Sequence, residues 1–205
     1  HLEVDNISSC ALASSLAILS PEQKELGTLV IDLGAGVTEY AVYSAGVIKH
    51  TGVMAVGGDH VSNDLAYGLK VPLARAEQLK IDHGSALIDL EAGDREIDLS
   101  DDSLILDRQV NLGHMQKIMS MRLHETFELI ARDIGQAGLI EYLRAGVVLC
   151  GGGARIPQIT RLAREVFNLP VGIGRASTVS GVKNALDEPE FATPVGLIKF
   201  GVFQS

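Results

Sequence analysis

The hydrophobic and polar positions change period several times along the chain. Residues 11–19 are apolar with helix-like composition, and residues 21–27 form a charged connection. Thr28-Leu29-Val30-Ile31 is a continuous apolar run ending in Asp32, the pattern of a strand buried on both faces. Gly34-Ala35-Gly36 follows as a tight turn. Residues 40–44 and 47–54 are β-rich and separated by Ala45-Gly46, which predicts a hairpin. Gly57-Gly58 breaks the chain, and beyond it Val61, Leu65 and Leu69 share one helical face. A second helix begins near Pro72, where a first-turn proline is favourable, and runs to about His83.

Residues 84–110 are strongly acidic, with Asp89, Glu91, Asp94, Glu96, Asp98, Asp101, Asp102 and Asp107. Short strands are expected at 96–99 and 104–106, joined at 100–103, with the acids on a solvated hairpin surface. The longest helix is expected over 112–134. Its apolar stripe is Met115, Ile118, Met119, Leu123, Phe127, Ile130 and Ile134, spaced by three or four residues. Residues 145–150 form another wholly apolar strand, closed by Gly151-Gly152-Gly153. A helix from Pro157 buries Ile159, Leu162, Val166 and Phe167. A short strand at 171–173 and a last helix over 192–203 complete the chain. This order predicts an α/β core at 28–70 and 145–205, interrupted by a small α+β lobe at 71–144 and preceded by a connecting helical segment at 1–27.

Composition narrows the function. At 205 residues, 46% hydrophobic and 21% charged, the chain can bury a core without staples. The net charge of −9 argues against a nucleic-acid partner, which needs a basic face. It also argues against docking on anionic lipid. The two cysteines, Cys10 and Cys150, exclude a disulfide framework, lack zinc-type spacing and suit a reducing cytosol. The longest apolar stretch, at 10–19, carries Ser14 and Ser15 and is too short to span a bilayer.

The candidate chemistry sits at the ends of the two buried strands. Asp32-Leu33-Gly34-Ala35-Gly36-Val37-Thr38 closes the first, and Leu149-Cys150-Gly151-Gly152-Gly153-Ala154 closes the second. Ligands collect at such strand ends in open α/β sheets. Glycines let backbone amides approach a phosphate, and a strand-end carboxylate can hold water on magnesium. Neither turn is a P-loop, and Gly34-Ala35-Gly36 lacks the third glycine of a dinucleotide fingerprint because Glu39 stands there. Taken alone, each cluster is equally a structural turn at a crowded strand end.

In combination and order, these elements resemble the second half of the actin-like ATPases, which include actin, heat-shock chaperones and sugar kinases. Within them the chain resembles the bacterial cell-division FtsA family. The stretches that carry the likeness are Glu25-Leu26-Gly27, Val56-Gly57-Gly58-Asp59-His60-Val61-Ser62-Asn63-Asp64-Leu65-Ala66, Ala76-Glu77-Gln78-Leu79-Lys80 with His83-Gly84, and Ala192-Thr193-Pro194-Val195-Gly196-Leu197. The likeness covers about residues 8–202. It implies a ribonuclease-H-like, actin-fold half: a mixed sheet with flanking helices plus a small α+β lobe.

The resemblance also implies ligands and partners. Asp32 would orient Mg2+ through water, with no metal ligated directly by side chains. Gly34, Ala35 and Gly36 would face the β- and γ-phosphates of ATP, assisted by Thr38. Gly57, Glu77, Lys80, Gly151, Gly152 and Gly153 would contact the nucleoside. Glu77 and Lys80, one helical turn apart, equally suit an ordinary surface pair, and Asp32 a turn cap. Val37 stands where many relatives carry a hydroxyl residue, Ala35 where a glycine is common, and Glu39 where many have Asp. The family's small lobe holds the acidic and apolar C-terminal tail of FtsZ. Arg122, Met119 and Leu123 are the candidate contacts, with Met121 beside them, although Arg122 equally suits a pair with Glu125 or Glu128.

The role implied is a cytoplasmic adaptor at the inner face of the membrane, linking FtsZ filaments to the division septum and self-associating into filaments. The chain opens on His1 and no first phosphate loop precedes residue 28, so it is expected to be a fragment with half of a nucleotide cleft. Its membrane helix would lie outside it, and it is expected to bind nucleotide weakly and not to hydrolyse ATP unaided. A pilus-assembly scaffold of the PilM type and a sugar-kinase half are the alternatives.

Overall fold

The computed structural model describes residues 4, 6–89, 95–99, 109–176 and 186–204. In chain order the helices are α1 (Cys10–Ile18), α2 (Pro21–Leu26), α3 (Gly58–Leu69), α4 (Leu73–His83), α5 (Leu112–Gln136), α6 (Ile159–Phe167) and α7 (Ala192–Gln204). The strands are β1 (Thr28–Leu33), β2 (Thr38–Ser44), β3 (Val47–Met54), β4 (Glu96–Asp98), β5 (Gln109–Asn111), β6 (Val147–Cys150) and β7 (Val171–Ile173).

Five strands form one mixed sheet in the order β3-β2-β1-β6-β7. The β1–β2–β3 meander is antiparallel, and β6 and β7 add in parallel. Every residue of β1 and β6 is buried, as continuous apolar runs require in a sheet covered on both faces. Alternation along β1 sends Leu29, Ile31 and Leu33 into the larger core, with α3, α4, α5 and α6. Val30 faces the other way, with Ala11, Tyr43, Val148 and Cys150 under α1 and Ala192. One buried cluster joins residues of 28–70, 71–144 and 145–205, and β4 and β5 form a separate two-stranded ribbon.

Two local readings change. The 21–27 connection is helical: Ser20 Oγ accepts from the Gln23 amide at 3.2 Å, Gln23 Oε1 accepts from the Ser20 amide at 3.0 Å, and Pro21 opens the helix. This capping box was legible as Ser20-x-x-Gln23. The strand paired with β4 is β5 at Gln109–Asn111; the expected strand at 104–106 lies outside the described residues. The stripe of α5 is buried at Met115, Met119, Leu123, Phe127, Ile130 and Ile134. Phe127 meets Phe167 edge-on at 5.8 Å, fixing α5 to α6.

Candidate functional site

Strands β1 and β6 run in parallel with Asp32 opposite Cys150, so both glycine turns leave the sheet side by side. The first is closed by the Gly34 amide donating to the Val37 carbonyl at 3.1 Å. Its outer carbonyls are then used to hold α3. Gly34 and Ala35 accept from the amides of Gly58 and Asp59, both at 2.9 Å. A Cβ at Gly57 would lie 2.3 Å from the Ala35 carbonyl oxygen, so only glycine permits this approach. The exposed amides of Ala35 and Gly36 have no backbone acceptor.

The second turn opens at Gly151, with φ +80. A Cβ there would lie 2.4 Å from Asp32 Oδ1, and one at Gly153 2.8 Å from Leu33 Cβ. Gly152 differs: nothing lies within 4 Å of the position its Cβ would take. From the far side α4 brings Lys80, whose ammonium donates to the Gly58 carbonyl at 3.1 Å and pairs with Glu77 at 2.7 Å. Ser62 also donates to Glu77. Burial opposes the Glu77 charge, but the hydrogen bonds from Lys80 and Ser62 together outweigh it and hold its carboxyl below the usual range.

These parts enclose a cavity of about 540 Å³. Of the residues singled out in the sequence, Gly34, Ala35, Glu77, Lys80, Gly152 and Gly153 line it. Other predicted residues do not. Gly36 is exposed beyond the rim, while Gly57 and Gly151 support the turns rather than face the space. Thr38 is buried and its hydroxyl donates to the Val56 carbonyl at 2.8 Å, so the expected donation to phosphate is already spent inside the protein. Asp32 lies beneath the turns, 6% exposed. Its Oδ2 accepts from Ser14 at 2.6 Å and Thr193 at 2.7 Å. Burial, with the Asp32 charge beside it, pushes the Cys150 thiol well up and keeps it neutral. Among the described residues no three His, Cys, Asp or Glu side chains converge as metal ligands.

Sequence reasoning missed Gly58, Asp59, Ile81, Arg155, Ile156 and Pro157 in the lining. Gly58 adjoins Gly57 and Arg155 lies two residues beyond Gly153, so both were findable; Ile81 and Pro157 are placed only by packing. Lys80 and Arg155 are balanced by Glu77 and Asp59, so the wall is formally neutral. Arg155 is held by Glu190 at 2.6 Å.

A second hollow of about 510 Å³ lies between α3 and α5, lined by Asp64, Tyr67, Gly68, Ile118, Met121, Arg122 and Glu125. Here two candidate partner contacts need correction. Met119 is 0% and Leu123 6% exposed, because they sit on the core-facing stripe of α5, so neither offers a surface to a partner. The exposed apolar groups are Tyr67 and Met121. Arg122 grips Asp64 with two nitrogens, at 2.5 and 3.1 Å, and Glu125 with a third at 2.7 Å. Asp64 is 58 residues away in the chain, and nothing in the local pattern announced it.

With this geometry fixed, comparison with known proteins decides the family. The sequence model described as Cell division protein FtsA matches residues 29–196. This chain belongs to the FtsA family. The family match displaces the pilus-assembly and sugar-kinase alternatives. FtsA of Pseudomonas aeruginosa is 33% identical over 98% of this chain, and that of Neisseria meningitidis 36% over 96%. In both cases the match covers 48% of the relative, so the chain spans about half the length of these FtsA proteins. Among solved structures, MreB5 of Spiroplasma citri bound to ADP superposes with a TM-score of 0.77 at 20% identity, covering 96% of this chain and 60% of that one. A PilM–PilN type IV pilus biogenesis complex gives 0.67 at 18%, covering 97% and 53%. These likenesses establish the actin-like fold: this FtsA-family chain is α/β, with a mixed sheet between flanking helices.

Proposed function

We propose that this chain supplies one wall of an ATP cleft in an FtsA-type cell-division protein. The observation that carries the reading is the convergence of two glycine turns and the Lys80–Glu77 pair on one cavity. The residues present fit a nucleotide. Gly152 opens onto free space, the Ala35 and Gly36 amides lack backbone acceptors, and Lys80 supplies a cation. Bound Mg2+ would neutralise phosphate charge, and Asp32, beneath the two turns, is the carboxylate that would hold its water shell. The wall is formally neutral, so this chain's residues alone attract a polyphosphate weakly. We infer weak binding and no unaided hydrolysis, with the remaining contacts coming from the rest of the longer protein. The 71–144 stretch is the small lobe in this reading.

Gly152→Val is the direct test. Gly152 lines the cavity, and a Cβ there would meet nothing within 4 Å. Titration with a fluorescent ADP should show saturable binding that the substitution abolishes while the melting temperature is kept. Equal binding by both chains would place the nucleotide elsewhere.

We further infer the adaptor role: attachment of FtsZ filaments to the inner face of the membrane at the septum, and self-association into filaments. The Tyr67–Met121–Arg122 hollow is the surface offered to an FtsZ C-terminal tail. Two carboxylates already surround Arg122, so an acidic tail must displace one. Arg122→Glu should abolish tail binding, whereas Asp64→Asn should strengthen it severalfold. Weaker binding by Asp64→Asn would remove Arg122 from the recognition site.

A further inference from the structure

The candidate site is bracketed from behind by five consecutive residues, 189–193, that no glycine motif includes. The Pro189 carbonyl accepts from the Gly151 amide at 3.0 Å, and Glu190 holds Arg155 at 2.6 Å. Three residues beyond Glu190, Thr193 donates to Asp32 at 2.7 Å. One stretch of backbone therefore touches the second glycine turn, a lining arginine and the carboxylate beneath the first turn.

The Asp32 contact has a defined proton arrangement. Ser14 and Thr193 lie 2.6 and 2.7 Å from the same oxygen, Oδ2, and 2.8 Å from each other. Two hydroxyls carry two protons, so the three contacts cannot all be hydrogen bonds at once. The carboxylate is the charged acceptor and takes both, because charge-assisted bonds are the stronger ones. Oδ2 is thereby committed inward. Oδ1 packs against Gly151, where a Cβ would lie 2.4 Å from it. The donors come from different helices, α1 and α7, whose spacing is set where Gly196 packs on the Ala13 carbonyl: a Cβ on Gly196 would lie 1.8 Å from that oxygen.

We propose that Thr193, with Ser14, is a positioning residue that orients Asp32 for the metal-dependent part of nucleotide binding. This role rests on the nucleotide reading above. Thr193 touches no ligand; it fixes which carboxylate oxygen faces the turns. Loss of such an outer partner typically weakens metal affinity by about tenfold or more. Valine has nearly the shape of threonine without its donor, and serine keeps the donor.

The test is ADP affinity, measured with Mg2+ and with Mg2+ removed by chelation, for the wild-type chain, Thr193→Val and Thr193→Ser. The valine variant should lose about tenfold in the presence of Mg2+ and nothing in its absence, with serine restoring wild-type behaviour. Amide exchange without ligand should accelerate at 33–37 in the valine variant and return to wild type in the serine one. An unchanged Mg2+ dependence in Thr193→Val, or an equal loss with and without Mg2+, overturns the positioning role while leaving the nucleotide reading intact. A wild-type chain that binds ADP under neither condition overturns both.

Discussion

Lys80 shows how much one side chain does here. Its ammonium reaches from α4 to the Gly58 carbonyl at the start of α3 and neutralises Glu77 at the cavity wall. Lys80→Ala should weaken nucleotide binding by about tenfold to a hundredfold, since a charge-assisted contact is worth roughly 1.5–3 kcal/mol. It should also raise the Glu77 carboxyl toward its ordinary range, a shift that NMR titration of that carboxyl reads directly. A second cluster tests charge coupling away from the site. Tyr40 donates to Asp133 at 2.7 Å and His50 meets the same oxygen at 2.6 Å, tying β2 and β3 to α5. The Tyr40 hydrogen bond, then that of His50, holds the Asp133 carboxyl below its usual range. A lowered folded value stabilises the protein above the unfolded aspartate value, about 3.9, and this contribution is lost as pH falls through the folded value. Asp133→Asn should therefore cost about 1 kcal/mol near neutrality, discounted for its partial exposure, and flatten the acid limb of a stability–pH curve. An unchanged acid limb would show that the pair is not coupled to folding.

At the scale of elements, the strands and long helices were legible because their apolar periods are strong. The stripe on α5 even contained the correction to its own functional reading: Met119 and Leu123 are core because they are on it. Helix α2 was missed because three of its six residues are charged and it carries no apolar face, and only its capping box marks it. The strand that pairs with β4 was not anticipated because Gln109-Val110-Asn111 is too short to announce a strand, and its pairing with β4 is set by tertiary contact. The α1–α7 contact was invisible because both helices are apolar all round, so periodicity names no buried face. That contact gives a sharp prediction. Gly196→Ala forces the helices apart and should cost about 2–3 kcal/mol, seen as a melting-temperature loss of several degrees. A melting temperature equal to wild type would mean that α7 does not dock on α1 in solution.

At the scale of the whole molecule, the glycine turns could be found in the sequence, but their meeting could not. It depends on the parallel register that sets Asp32 beside Cys150 and on α4 crossing to bring Lys80 over the turns. The hydroxyls of Thr38, Ser14 and Thr193 illustrate the same limit. One looked like a ligand contact and is spent on Val56, while the two that hold Asp32 lie 18 and 161 residues from it. The actin-like fold rests on the likeness to solved structures and the FtsA family on the sequence match, and under the proposed function the neutral wall makes weak nucleotide binding the expectation. Amide chemical-shift mapping of the isotopically labelled chain with Mg2+–ADP tests this most directly. The account predicts shifts concentrated at Ala35, Gly58, Lys80, Gly152 and Gly153, saturating only at about millimolar ligand, equivalent to roughly 4 kcal/mol of binding free energy. Shifts centred away from these residues, or saturation near micromolar ligand, would contradict it.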